Sequence, residues 1–331
     1  MVAPVAPGDV IDGKYRVERV LGEGGMGIVV AALHVQLREL VAIKFLQSAN
    51  DPDGSSQRRF AREARASARL KNEHVVRVLD FGVFEGGVPA IVMELLDGQD
   101  LSQVLAREGP LPIDRAVEYV LQAGEAIAEA HCRGIVHRDL KPSNMFLSRA
   151  TDGSTVVKVL DFGISKVLRG DDESLAMQPI TKSNAIVGSP LYMSPEQLSG
   201  VPVDARTDIW GMGVILYEIL TGQVPFQAKS AALLFTAILS REPQPARELR
   251  ADLPEPLERV IHRCLHKDPD ARFQTVQQLA EALVSAVGAT PATSHSLDRI
   301  TRFLAADPAP RISADLEVPL ELRGTDDCLS L

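Results

Sequence analysis

Asp139, Lys141 and Asn144 stand within six residues in the run His137-Arg138-Asp139-Leu140-Lys141-Pro142-Ser143-Asn144. Asp161-Phe162-Gly163 follows, its carboxylate seventeen residues after the Asn144 amide. A carboxylate can take a proton from an incoming hydroxyl, and a lysine two residues on can contact a phosphoryl group in transit. An amide and a second carboxylate offer oxygen to magnesium, a hard cation. The set therefore suits phosphoryl transfer, with Asp139 as base, Lys141 beside it, and Asn144 and Asp161 as metal ligands. That chemistry needs positioning and charge neutralisation more than covalent help. An isolated trio of this kind reads equally as a polar loop, but this one lies between a helical pattern and the apolar Met145-Phe146-Leu147. His137 reads as a packing and hydrogen-bonding residue rather than a proton shuttle.

A second constellation lies upstream. Gly22-Glu23-Gly24-Gly25-Met26-Gly27-Ile28-Val29 fits the pattern G-x-G-x-x-G-x-V. Without Cβ atoms, backbone N–H groups can close over phosphate oxygens. Dinucleotide-binding folds use the same glycines to open a helix, whereas here Ile28-Val29-Val30-Ala31-Ala32 continues as a strand. A tight hairpin is the plain alternative, and four glycines in six positions exceed what a hairpin needs. Val41-Ala42-Ile43-Lys44 then places an ammonium after three apolar residues on a short strand. It can neutralise α/β-phosphate charge if an anion holds it. Glu63, the only acidic residue of the helix read over 57–70, is the candidate partner; a solvated helix position is its plain alternative.

The elements that must position these groups fall into two patterns. Tyr15–Val35, Leu40–Leu46, Val75–Phe84 and Val88–Leu95 read as strands, with one main helix between the second and third. From Leu101 onward helical spacing dominates: 101–108, 113–133, 208–220, 231–239, 256–265 and 276–287. Val156–Leu160 is a strand that ends at Asp161. The expected fold class is α+β: a small β-rich lobe, about 10–95, and a larger α-helical lobe, about 96–287. Residues 1–9 read as a flexible arm. Residues 288–331, with Pro291, Pro308, Pro310 and Pro319, read as a mostly disordered tail carrying one weak amphipathic patch at Leu297, Ile300, Phe303 and Leu304.

Composition narrows the partners. The net charge is −9 over 331 residues, which argues against general affinity for nucleic acid or anionic membranes. Cys132, Cys264 and Cys328 form no CxxC pair and suggest neither a disulfide framework nor a zinc site. The first residues lack the basic and apolar regions of a signal peptide, and the longest apolar runs fall short of the ~20 residues a membrane span needs. A cytoplasmic protein is expected.

These motifs resemble the protein kinase superfamily over roughly Tyr15 to Val287. Lys141 in the H-R-D-L-K-P-x-N loop is what serine/threonine kinases carry, and Gly24-Gly25-Met26-Gly27 with Ser194-Pro195-Glu196-Gln197 is similar to the bacterial eukaryotic-like (Hanks-type) members. The resemblance implies a bilobal kinase fold with ATP between the lobes and Mg²⁺, or Mn²⁺ in its place. Leu21, Gly22, Glu23, Gly24, Gly25, Met26, Gly27, Ile28 and Val29 would cover the nucleotide. Val29, Ala42 and Phe146 would enclose the adenine, with Met93 as gatekeeper. The backbone of Glu94 and Leu96 would bind the adenine edge, and Asp100 would approach the ribose. Lys44 and Glu63 would form the small-lobe ion pair.

The resemblance also implies an activation segment between Asp161 and Glu196. Thr181 and Ser183 are the expected autophosphorylation sites, where added charge can order a loop through Arg138; a transient homodimer would serve phosphorylation in trans. Ser189 stands where the family usually has threonine, and Ser194 where it usually has alanine. Glu196 is expected to pair with Arg272, and Asp208 to brace the catalytic loop, with a simple helix N-cap as its alternative. The implied substrates are protein Ser/Thr hydroxyls. A pseudokinase scaffold would lack the lysine, the base or a metal ligand, all of which are present. A small-molecule phosphotransferase of the same fold would not need the long segment ending in Ser-Pro-Glu.

Overall fold

Side-chain alternation in the first third of the chain produces strands with two different faces. In the computed structural model, which describes residues 5–24, 27–46, 64–65, 67–84, 88–150, 152–162 and 189–305, six strands form one antiparallel sheet. They are β1 (Val10–Ile11), β2 (Tyr15–Gly24), β3 (Gly27–His34), β4 (Glu39–Leu46), β5 (Val78–Phe84) and β6 (Val88–Glu94), in the order β1-β2-β3-β4-β6-β5. Val30, Ala32, Val41, Ile43, Phe45, Ala90 and Val92 fill a core on one face with Tyr15 and Val17. Because successive residues point to opposite faces, Ala42, Lys44, Ile91 and Met93 are turned toward the other lobe. The register sets Lys44 opposite Val29 and Ala42 opposite Met93.

The large lobe is built from α1 (Leu101–Glu108), α2 (Ile113–Cys132), α3 (Pro195–Ser199), α4 (Arg206–Thr221), α5 (Ala231–Ser240), α6 (Ala246–Leu249), α7 (Glu255–Cys264), α8 (Val276–Val287) and α9 (Pro291–Ala305). A small sheet, β7 (Gly98–Asp100), β8 (Met145–Arg149) and β9 (Thr155–Val159), lies at its upper edge. Helix α4 is apolar on nearly every side and is buried accordingly. Gly211 lets it approach the catalytic loop: a Cβ there would lie 3.0 Å from Leu140 Cβ. Trp210 stacks on Phe226 at 5.7 Å between ring centres. The Lys267 ammonium sits 3.9 Å from the Phe226 ring centre, and the Arg272 guanidinium lies over Trp210 at 5.0 Å.

Two expectations change. Residues 5–9 are not a loose arm: Val5 packs against the small-lobe core, Gly8 N–H donates to Val17 carbonyl at 2.8 Å, and Val17 N–H donates to Asp9 carbonyl at 2.8 Å. Residues 291–305 of the expected disordered tail form α9, with Pro291 as its first residue and Ile300 fully buried. Proline is compatible with a first helical turn, and the weak amphipathic patch finds an apolar surface to cover. Of the helix expected over 57–70, residues 64, 65 and 67 are helical and 57–63 lie outside the described residues. Among the described residues no helix is long and apolar enough to cross a membrane.

Candidate active site between the lobes

The catalytic loop is shaped from below by one buried carboxylate. Asp208, in the first turn of α4, accepts from the backbone N–H of His137 at 2.9 Å and of Arg138 at 2.8 Å. His131 Nε2 lies 2.7 Å from the same carboxylate. Burial pushes the Asp208 carboxyl up, but the hydrogen bond and charge of His131, with help from His137, outweigh it and hold the group below the usual range. Asp208 thus braces the loop rather than merely capping a helix.

His137 is fully buried and spans the loop. Its Nε2 donates to Leu160 carbonyl at 2.8 Å, and its Nδ1 accepts from Asp139 N–H at 3.3 Å. Those contacts commit both ring nitrogens. The ring also meets Phe162 edge-on at 4.9 Å. Two non-glycine residues here take the left-handed backbone region, Arg138 at φ +65° and Asp161 at φ +57°. Such conformations are uncommon and cluster at functional sites. Gln197 Nε2 donates to the Arg138 carbonyl at 2.8 Å and helps to keep that turn in place.

The five polar residues singled out by their spacing come together. Asp139 Oδ2 accepts from Lys141 Nζ at 2.8 Å and from Asn144 Nδ2 at 3.2 Å; Asn144 Nδ2 also reaches the Asp139 carbonyl at 2.8 Å. Asn144 carbonyl accepts from Leu160 N–H at 2.9 Å, which ties the loop to the residue before Asp161. Asp161 Oδ2 meets Lys44 Nζ at 2.6 Å across the lobes. Burial raises the Asp161 carboxyl, and the Lys44 ammonium, with the charges of His137 and Lys141, overrides that and holds it low. Both candidate metal ligands offer oxygen: Asn144 spends its N–H donors on Asp139, leaving the amide oxygen, and Asp161 is kept ionised. The donor set fits a hard divalent cation.

Placement of the nucleotide-contact residues follows the strands. Gly22, Glu23 and Gly24 pair with Val29, Ile28 and Gly27 in a hairpin whose tip, Gly25 and Met26, lies outside the described residues. Leu21, Gly22 and Glu23 are exposed. Met93 lines a recess with Val75, Val78, Ile91 and Phe162, and Ala42 lies opposite Met93 in the sheet. Leu96 is half-buried just past β6. Glu94 is anchored: its Oε1 accepts from Lys158 Nζ at 2.9 Å and Arg77 N–H at 2.8 Å. Asp100 caps α1, accepting from Gln103 N–H at 3.0 Å and from the Ser102 hydroxyl, and pairs in register with Phe146. Glu63, Thr181 and Ser183 lie outside the described residues.

Glu196 and Arg272 form the expected pair with two parallel bonds of 2.8 Å, both residues being buried. The remaining Arg272 donors reach the carbonyls of His266, Arg206 and Lys267. Ser194 and Gln197 form a capping box at the start of α3, a use for the hydroxyl that alanine lacks. Sequence reasoning missed Gln197, His131, Lys158, His74 and the buried acids Glu125 and Glu129. The last two were detectable as carboxylates four residues apart within the apolar stripe of α2.

Residues 15–284 match the protein kinase domain family, and the chain belongs to it. It is 42% identical over 267 residues to the serine/threonine-protein kinase pkn3 of Myxococcus xanthus, covering 80% of this chain and 48% of that protein. It is 36% identical over 315 residues to the serine/threonine-protein kinase PknB of Mycolicibacterium smegmatis, covering 92% and 49%. The chain thus spans about half the length of these relatives. The PknI kinase domain of Mycobacterium tuberculosis superposes with a TM-score of 0.68 at 29% identity, over 86% of this chain and all of that one.

Proposed function

We propose that the chain is a serine/threonine protein kinase that moves the γ-phosphoryl group of ATP to protein hydroxyls. The observation that carries this is the junction at Asp161. A small-lobe lysine closes on it from above, and Asn144 ties the loop bearing Asp139 to it from below. Asp139 has one oxygen engaged by Lys141 and Asn144, leaving the other for a substrate hydroxyl. As the substrate Oγ–P bond forms and the bond to the ADP oxygen breaks, the hydroxyl proton passes to Asp139. Lys141 stands where it can neutralise charge on the group in transit, and Lys44 where it can hold the remaining phosphates. Asn144 and Asp161 would hold Mg²⁺ or Mn²⁺, which when bound neutralises phosphate charge. The glycine hairpin, Ala42, Met93, Glu94, Leu96, Asp100 and Phe146 would seat the nucleoside at the same place.

Activation by phosphorylation of Thr181 and Ser183, in trans within a transient pair, and a cytoplasmic location, where ATP is available, complete this reading. Incubation with labelled ATP and Mg²⁺, beside an Asp139→Asn variant, tests it. The intact chain should label Ser/Thr of protein, and the variant should lose on the order of 10²-fold or more. Intact protein that neither labels protein nor binds ATP at millimolar levels ends the proposal. Phosphopeptide mapping that finds Thr181 and Ser183 unmodified in active enzyme removes the activation step alone.

A further inference from the structure

Helix α9 lies beyond the family-matched residues 15–284, yet it is seated in the large lobe. Thr293, Ser296 and Ile300 are buried, and the Cys132 thiol donates to Phe303 carbonyl at 3.0 Å. From this helix Arg299 reaches two carboxylates in different parts of the molecule. Its Nε lies 2.6 Å from Glu125 Oε2 on α2, and a terminal nitrogen pairs with Glu73. Glu125 is 1% exposed, whereas Glu73 is exposed and belongs to the loop of residues 70–78 that leads from the helical residues 64, 65 and 67 of the small lobe into β5.

That loop is fastened to the strand that ends at the metal-ligand position. Glu129 accepts from the N–H groups of Lys71 and Asn72 at 2.9 and 2.8 Å. His74 Nδ1 lies 2.8 Å from Val157 carbonyl, and its Nε2 lies 3.6 Å from Glu125. Val159 N–H donates to His74 carbonyl at 2.7 Å, and Val76 N–H donates to Val159 carbonyl at 3.1 Å. Asp161 follows Val159 by two residues. A continuous line of contacts therefore runs from Arg299 through Glu73, Glu125 and His74 to β9 and Asp161.

We propose that Arg299 is a positioning residue for phosphoryl transfer: by holding Glu73 and Glu125 together it fixes the 70–78 loop, and through that loop the placement of Asp161. The proposal rests on the kinase reading above. A planar guanidinium suits the task because it lies against two carboxylates at once, hydrogen-bonded to Glu73 and in ion-pair contact with Glu125, where a lysine offers a single point charge. Without it, Glu125 remains a buried carboxylate beside His74 and Glu73 is released, so the loop loses its tie to α9.

The test uses the full chain with Arg299→Ala, Arg299→Lys, Glu73→Gln and, as a charge control on the exposed side of α9, Arg302→Ala. Steady-state kinetics give kcat and KM, and hydrogen exchange of the nucleotide-free protein reports the amides of Val76 and Val159. Arg299→Ala should lower kcat about threefold to thirtyfold, leave KM for peptide unchanged and speed exchange at both amides. Arg299→Lys should recover part of both effects, and Arg302→Ala should match the unaltered chain. Glu73→Gln should act in the same direction and add little to Arg299→Ala. It also carries the test if Arg299→Ala fails to fold, since Glu73 is exposed. Unchanged kcat, or unchanged exchange at Val76 and Val159 despite a lower melting temperature, overturns the proposal. An unaltered chain that transfers no phosphate counts against the kinase reading instead, and the exchange rates still decide whether Arg299 positions the loop.

Discussion

Lys44 and Asp139 arrive at the same opening by different means. Lys44 is placed by strand register: Val41, Ile43 and Phe45 point into the small-lobe core, so the intervening Ala42 and Lys44 point out of it. Its ammonium then reaches Asp161 of the other lobe. Asp139 stands in a loop whose neighbours are each tied down, His137 and Arg138 to Asp208, the Arg138 carbonyl to Gln197, and the His137 ring to Leu160. The large lobe therefore presents a preorganised surface, whereas the small lobe contributes a charge whose seat depends on how the lobes meet. Damage to the first should appear as lost stability, and damage to the second as lost activity.

The sharpest way to separate them is Arg272→Ala. It removes every partner the guanidinium supplies and leaves Glu196 buried without its cation, a change that costs about 3–5 kcal/mol. Urea unfolding should show that loss in the midpoint. Lys44→Met strikes the other side. kcat/KM for ATP should fall on the order of 10²–10³-fold, as when one electrostatic donor is lost from an active site. The unfolding midpoint should move far less than in Arg272→Ala. Equal midpoint shifts in the two variants would dissolve the distinction.

Asp208→Asn refines the comparison through pH. The amide replaces one acceptor oxygen with a donor, facing three donors already in place, and should cost about 1–3 kcal/mol. Because the folded-state carboxyl is held below its unfolded value, its contribution is complete above the unfolded value, about pH 4, and fades as pH falls through the folded one. The gap in unfolding midpoint between the two proteins should therefore narrow in acid, below about pH 4. Ser194→Ala should have the smallest effect, about 1 kcal/mol, since it removes one side of a capping box; a thermal melt is sufficient to read it.

Much of this arrangement was legible in the sequence where local pattern and chemistry agree. Helical spacing delimits Val276–Val287, and the strands carrying Lys44 and Met93 read as short β-type runs. The Glu196–Arg272 pair and the brace at Asp208 were expected from the resemblance, and the structure joins both. What local pattern could not show was contact at long range. The Pro-containing stretch at 291–305 looked too weak to hold a helix, because the surface that covers it belongs to α2. Glu125 and Glu129 find their partners, Arg299 and the backbone of Lys71 and Asn72, in distant segments. Asp100, expected at a ribose, also serves as a helix cap, a demand that the ligand-centred reading did not contain.

Lys267 follows the opposite rule to the carboxylates. Its ammonium finds ring faces at Phe226 and Trp210 but no hydrogen-bond acceptor among the described residues. Burial lowers it to about 8. The unfolded chain keeps this proton to a higher pH than the folded one, so alkalinity between about 8 and 10.5 favours folding at this position. The lobe that acid weakens at Asp208 is thus relieved by base at Lys267, and a neutral side chain of similar length, such as methionine, would avoid the burial cost that the ammonium bears beside the Phe226 and Trp210 rings.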